Sequence, residues 1–222
     1  MRIYAHRGAS RELPENTLPA FRRALELGAD ALETDVHETR DGHLVVSHDP
    51  DCGRVLGVAR VIAQSTLAEV REAGAPSLEE VVRTFPGVPL NVDLKSGAAA
   101  LAVATLRRLG AEEQVTLASF RSATLRQVRA LGYRGPTSLG RAEVALLLAL
   151  PAAAQRRSRG AVAQLPTSLA RRWVVERCHA LGLQVHFWTV NDPAEARRIA
   201  ALGADGIMTD DPAAIVPALR PG

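Results

Sequence analysis

Ala31-Leu32-Glu33-Thr34-Asp35-Val36 reads as a strand with two unlike faces. Successive side chains of a strand point to opposite sides, so Leu32, Thr34 and Val36 share one face and Glu33 and Asp35 the other. Thr39-Arg40-Asp41-Gly42-His43 follows, and then Leu44-Val45-Val46-Ser47-His48. An Asp-Gly pair between two β-like runs is a strong hairpin signal. Folding the chain at residues 40–42 pairs Thr39 with His43 and brings His48 opposite Thr34, give or take a bulge. The hairpin thus returns His48 beside Glu33 and Asp35.

Outward from this segment, short β-like runs alternate with longer helical ones. The strand candidates are Ile3–His6, Ala31–Val36, Leu90–Lys95, Val115–Phe120, Tyr133–Ser138, Ala161–Leu165, Gln184–Val190 and Gly206–Thr209. Amphipathic stretches at Thr17–Leu27, Ser77–Arg83, Ala98–Leu109, Thr124–Leu131, Leu169–Leu181 and Pro193–Leu202 lie between them. Several end at glycine, and Ser77-Leu78-Glu79-Glu80 is a capping-box pattern. Eight strands alternating with these helical stretches predict an α/β fold with a parallel sheet. In 222 residues this fits a single compact (β/α)8 TIM barrel over residues 1–222, with a β-hairpin excursion after the second strand. The alternative is a doubly wound open sheet, which would want a glycine-rich phosphate loop after its first strand, and His6-Arg7-Gly8-Ala9 does not supply one.

Composition narrows the function. Hydrophobic residues make up 47% and charged residues 23%, which excludes a disordered chain, a collagen and a coiled coil. The longest nearly uncharged apolar run, Val144 to Ala154, is too short to span a bilayer and is broken by Pro151. No apolar stretch precedes His6, so a secretory signal is not expected. Cys52 and Cys178 show no metal-ligand or paired spacing, and reduced thiols in a cytoplasmic protein are the simple reading. The net charge of +3 and pI of 9.4 do not amount to a nucleic-acid partner. The 26 arginines are interspersed with acids, their densest cluster, Arg156-Arg157-Ser158-Arg159, reads as a solvated loop, and aromatics are only 4%, too few for base stacking. Lys95 is the single lysine.

The polar strand faces carry the chemistry. Two carboxylates directed into a barrel mouth, Glu33 and Asp35, cannot both stay ionised without a cation or a shared proton. Hard oxygen donors suggest Mg²⁺ or Ca²⁺, and the competing reading is a pair neutralised by barrel arginines. Asn91, Asp93 and Lys95 share one face of the next strand, and burying that face without a function would be costly. Lys95 sits at a strand's C-terminal end, where barrel enzymes keep catalytic groups. Strand one ends in His6-Arg7-Gly8, with Arg7 offering a planar fork for phosphate. Alone, His6 reads more readily as a hydrogen-bonded core histidine than as a catalytic one. Together, two imidazoles, two cations and three carboxylates on one barrel face describe acid/base chemistry on a phosphoester. His37 reads as structural or rim, His43 and His179 as surface, and His186 as a satisfied core histidine. Trp188 is either core or pocket wall.

These residues resemble the glycerophosphodiester phosphodiesterase family. The matching motifs are His6-Arg7-Gly8, Pro14-Glu15-Asn16-Thr17 with Ala20-Phe21, Glu33-Thr34-Asp35-Val36, Thr39-Arg40-Asp41-Gly42, His48-Asp49 with Arg54, Asn91-Val92-Asp93-Leu94-Lys95, Ser119-Phe120, Trp188-Thr189-Val190-Asn191 and Gly206-Ile207-Met208-Thr209-Asp210 before Pro212. The resemblance implies a (β/α)8 barrel that cleaves glycerophosphodiesters, such as glycerophosphocholine or glycerophosphoethanolamine, to sn-glycerol 3-phosphate and an alcohol with one divalent cation. It implies Glu33, Asp35 and Asp93 as metal ligands, His6 and His48 as the acid/base pair, Arg7 and Lys95 as phosphate clamps, and Trp188 as a pocket wall. Two departures stand out. Asp93 occupies a position where the family usually has Glu, one methylene longer. The segment Asp51–Gly74, where the family carries a small insertion, is short, which suggests an open pocket for small head groups. A lysophospholipase D or cyclising lyase, and a non-catalytic phosphometabolite-binding barrel, are the competing functions.

Overall fold

The computed structural model describes residues 1–95, 97–149 and 160–220. The arginine cluster at 156–159 lies outside them. Seven parallel strands run side by side in the order β5 (Val115–Ala118), β4 (Leu90–Leu94), β2 (Ala31–Glu38), β1 (Arg2–His6), β8 (Gly206–Thr209), β7 (Gln184–Trp188) and β6 (Val162–Pro166). The ring closes through bridges from Leu117 to Thr137 and from Ser138 to Val162. The result is a (β/α)8 barrel whose fifth staves are only two residues wide. The strand expected at Tyr133–Ser138 is cut short: Pro136 has no N–H to donate, and pairing with β5 begins only at its carbonyl, which accepts from Leu117 N–H at 3.0 Å.

The hairpin forms in the expected register. β3 (Leu44–Val46) pairs antiparallel with β2, with Val36 opposite Val46, and Ser47 N–H donates to the Asp35 carbonyl at 3.0 Å. Helix starts follow their capping chemistry. Thr17 caps α1 (Leu18–Glu26), and Ser77 and Glu80 form the capping box of α4 (Leu78–Thr84). Asp192 caps α9 (Pro193–Ala201) and Asp211 caps α10 (Pro212–Leu219). α5 (Ala99–Arg108), α6 (Ser122–Ala130) and α8 (Arg172–Ala180) complete the outer layer with α7 (Arg141–Ala149), which forms from the start of the apolar run. Short helices α2 (Gly53–Leu56) and α3 (Leu67–Glu72) lie after the hairpin.

Outward-facing strand residues pack on the helices in two clusters. Leu32, Val36, Val92, Leu94 and Leu117 meet Phe21, Val81, Leu106 and Val128. Val185, Phe187 and Ile207 meet Val174, Ile199 and Ile215. Burying these apolar faces drives ring closure, and the closed ring in turn forces the alternate, polar faces into one lumen. No helix among the described residues is long and apolar enough to cross a membrane.

Candidate active site

A cavity of about 620 Å³ opens at the C-terminal mouth of the barrel. His6, Arg7, Glu33, Asp35, His48, Asp93, Lys95 and Trp188, the eight residues singled out from the sequence, all line it. Parallel register sets the carboxylates side by side: Glu33 faces Asn91 and Asp35 faces Asp93 across β2 and β4, and His6 faces Glu33 across β1 and β2. His48 arrives from the hairpin.

The charges interlock. Lys95 Nζ lies 2.9 Å from Asp35 Oδ1 and 2.6 Å from Asp93 Oδ2. Arg7 Nε lies 3.2 Å from Asp35 Oδ2, while its NH1 donates to Glu15 Oε1 at 3.1 Å. Arg7 adopts the left-handed conformation, with φ 61°, an uncommon state for a non-glycine residue that recurs at functional sites. Gly8 beside it has φ +87°, and a Cβ there would stand 2.7 Å from the Ala20 carbonyl carbon, so the turn under the arginine admits only glycine. Asn16, also left-handed at φ 60°, accepts from Thr34 Oγ1 at 2.7 Å and donates to Asp35 at 3.5 Å.

Both histidines are held by aspartates on Nδ1, an arrangement that turns Nε2 toward the site. His6 Nδ1 is 2.6 Å from Asp210 Oδ1, and Asn191 Nδ2 donates to Asp210 Oδ2 at 2.7 Å. His48 Nδ1 is 2.8 Å from Asp49 Oδ1. Arg54 ties Asp49 to Glu15, at 2.5 and 2.6 Å, and so links the His48 and Arg7 networks. His37 Nε2 bonds the His48 carbonyl at 3.1 Å from below. Asp210, Asn191, Asp49 and Glu15 stood in the sequence motifs without a role. Asp210 could have been found by position, because it follows β8 at the barrel mouth much as Lys95 follows β4.

Burial opposes the His6 imidazolium, but the Glu33 carboxylate and the Asp210 hydrogen bond outweigh it and hold its pKa above the usual histidine value. Burial first and the Asp35 charge second push the Glu33 carboxyl up, well above the carboxylate range. Burial also raises Asp93 against the pull of Lys95. Asp210 is held low despite its burial by the His6 and Asn191 hydrogen bonds. Among the described residues no three His, Cys, Asp or Glu side chains already converge as a metal cage; Asp35 is paired with Lys95 and Arg7, and Asp93 with Lys95. The donor set nevertheless fits a hard cation. Glu33 Oε2 is buried with no hydrogen-bond partner, and its ionisation is opposed by like charges that a divalent ion would offset.

Other expectations sort plainly. Trp188 lines the cavity, edge-on to Phe120 with centroids 5.7 Å apart. His43 is exposed, and His179 pairs with Asp205 at 2.9 Å on the surface. His186 is buried in the barrel as expected but is not satisfied: its Nδ1 has no partner. It packs against the Tyr4 ring at 5.0 Å, and burial pushes its pKa down to about 4, so it remains neutral. Residues 51–74 build a small satellite core of Cys52, Ile62 and Val70 and contribute nothing to the cavity wall. The cavity extends instead over α7.

A parallel barrel that gathers bases, acids and cations of phosphate-binding type at its C-terminal mouth belongs with the phosphoester-handling barrel enzymes. The chain belongs to the glycerophosphoryl diester phosphodiesterase family, whose model matches residues 6–214. It is 30% identical over 241 residues to a glycerophosphodiester phosphodiesterase of Caldanaerobacter subterraneus subsp. tengcongensis, covering 99% of this chain and 98% of that relative. It is 35% identical over 226 residues to a probable glycerophosphodiester phosphodiesterase 2 of Mycobacterium tuberculosis, covering 93% and 86%. The crystal structure of a glycerophosphodiester phosphodiesterase from Thermotoga maritima superposes with a TM-score of 0.83 at 27% identity, covering 98% of this chain and 97% of that one. The chain is therefore a phosphoric diester hydrolase of the family that hydrolyses glycerophosphodiesters.

Proposed function

We propose that this enzyme hydrolyses glycerophosphodiesters to sn-glycerol 3-phosphate and an alcohol through His6 and His48, with Mg²⁺ or Ca²⁺ held by Glu33, Asp35 and Asp93. The observation that carries the reading is the matched pair of aspartate-held imidazoles, His6–Asp210 and His48–Asp49, in one cavity with three carboxylates. A bound divalent cation supplies Lewis-acid polarisation of the phosphoryl group and lowers the pKa of a ligated hydroxyl. His6 Nε2 takes the proton of the glycerol 2-hydroxyl, whose oxygen attacks phosphorus. His48 gives a proton to the departing alcohol as its P–O bond breaks. Water then opens the resulting cyclic phosphate with the two roles exchanged. Arg7 and Lys95 hold the phosphate oxygens. Asp93, one methylene shorter than the family's usual Glu, would be the third carboxylate to hold the ion. Two buried, unpaired thiols, Cys52 and Cys178, support a cytoplasmic location.

Phosphorus NMR tests the reading, with millimolar glycerophosphocholine and glycerophosphoglycerol in Mg²⁺, in Ca²⁺ and after EDTA. Metal-dependent appearance of glycerol 3-phosphate is the expected result. Build-up of a cyclic phosphate alone would assign a lyase instead, and no turnover of either diester with either ion would overturn the reading. A lysophospholipase D activity is the second reading. It is favoured by the apolar wall formed by Leu139, Val144, Leu148 and Leu165, along which a hydrocarbon chain could lie. Turnover of lysophosphatidylcholine faster than of glycerophosphocholine would select it.

A further inference from the structure

The cavity's charges are segregated. Its carboxylates, Glu33, Asp35 and Asp93, all come from β2 and β4. The opposite wall, from Phe120 through Leu139 and α7 to Leu165, is apolar and carries one charged residue among the described residues, Arg141. Arg141 opens α7, and its guanidinium carbon lies 5.0 Å from the centroid of the Phe120 ring. The Lys95 ammonium lies 5.8 Å from that same ring. Nearby Glu143 does not neutralise Arg141. It is bound to Arg129 at 2.6 Å and accepts from Gly140 N–H at 2.9 Å.

This inference rests on the reading above. With the glycerol arm over the carboxylates of β2 and β4, the second ester arm has the Phe120–α7 wall. We infer that Arg141 is a specificity-determining residue of that second arm, selecting glycerophosphodiesters whose leaving alcohol is uncharged over those whose leaving alcohol is cationic. A cationic head group placed there meets a guanidinium and no carboxylate. The usual alternative host for a quaternary ammonium is an aromatic face, but the Phe120 ring already serves two cations, and the Trp188 ring beside it is engaged edge-to-face with Phe120 at 5.7 Å. An uncharged polyol meets no such repulsion and finds hydrogen-bonding groups in Gln164, Ser138 and Thr189. Arg141 is exposed, so water screens its field. An exposed charge pair is worth at most about 1 kcal/mol, or about fivefold in an equilibrium.

Steady-state kinetics on the metal-loaded enzyme test this. Glycerophosphoglycerol and glycerophosphocholine are compared for the wild type and for Arg141→Gln and Arg141→Glu, with circular dichroism as the folding check. The wild type is expected to favour glycerophosphoglycerol about fivefold in kcat/KM. Arg141→Gln should level the two substrates, and Arg141→Glu should reverse the order, with the change in KM. A wild-type preference for glycerophosphocholine, or the same ratio in all three proteins, overturns the inference while leaving the hydrolase reading intact. No turnover of either diester by the wild type overturns both.

Discussion

Asp210→Asn probes the His6 network atom by atom. The amide of Asn191 is oriented by two donors to its Oδ1, Thr209 Oγ1 at 3.1 Å and Asp210 N–H at 2.9 Å. Its Nδ2 must therefore face residue 210, where it now donates at 2.7 Å. An amide introduced at that place keeps this bond only by turning its own oxygen to Asn191. Its NH₂ then faces His6 Nδ1, at the position where Asp210 Oδ1 sits 2.6 Å away. The imidazole must accept there, so its proton moves to Nε2, the nitrogen that lies 3.8 Å from Glu33 Oε2 on the site side. A ring protonated on Nε2 cannot serve as the base. General-base steps are worth about 10²–10⁴-fold, about 3–5 kcal/mol of barrier, so kcat should fall at least about 100-fold with KM little changed. Loss of the Asp210 charge also lowers the His6 pKa, so the acid limb of the residual pH–rate profile should move to lower pH. The assay is glycerol 3-phosphate release at saturating metal and substrate from pH 5 to 9. A variant that folds, retains kcat within about threefold and keeps the wild-type pH profile would refute both the tautomer argument and the assignment of His6.

His48→Ala should cost at least about 100-fold in kcat in the same assay, and turnover near wild type would remove His48 from the mechanism. Gly8→Ala combines a positive φ with a Cβ 2.7 Å from backbone. The cost is about 1–3 kcal/mol, to be seen as a lower urea midpoint, and an unchanged midpoint would mean the turn relaxes freely. His186 gives a pH signature in stability. Its folded pKa, pushed down by burial to about 4, lies below the ordinary histidine value of 6.5, so between these values the unfolded chain binds the extra proton. Its contribution is present above pH 6.5 and is lost as pH falls toward 4, a total of about 3 kcal/mol. His186→Gln should therefore gain on the wild type by that order between pH 7 and pH 4 in urea denaturation, and a constant gap would contradict the burial argument.

Much of the site was legible because its signals are local. Strand parity alone puts Glu33 with Asp35 and Asn91 with Asp93 and Lys95, since a period of two residues is a property of the backbone. The Asp41-Gly42 turn sets the hairpin register, and the register carries His48 back to β2. Capping at Ser77 and Asp192 is equally short-ranged. The fifth strand is shorter than the sequence reading has it: Pro136 was there to be read as a break, but that only Thr137 and Ser138 pair with the neighbouring strands depends on where β5 and β6 lie.

Tertiary structure alone decided what meets across the ring. Asp210 reaches His6 from 204 positions away in the chain, and Arg54 joins Asp49 to Glu15 across a turn of the barrel. Arg141, at the start of α7, comes to rest over the Phe120 ring, and its N–H donates to the Phe120 carbonyl at 3.3 Å. A linear pattern determines which face a side chain takes, because that follows from the geometry of one strand or helix. Which faces converge follows from closing eight staves on one another, where burial of the outer apolar faces leaves the inner polar ones a single place to go.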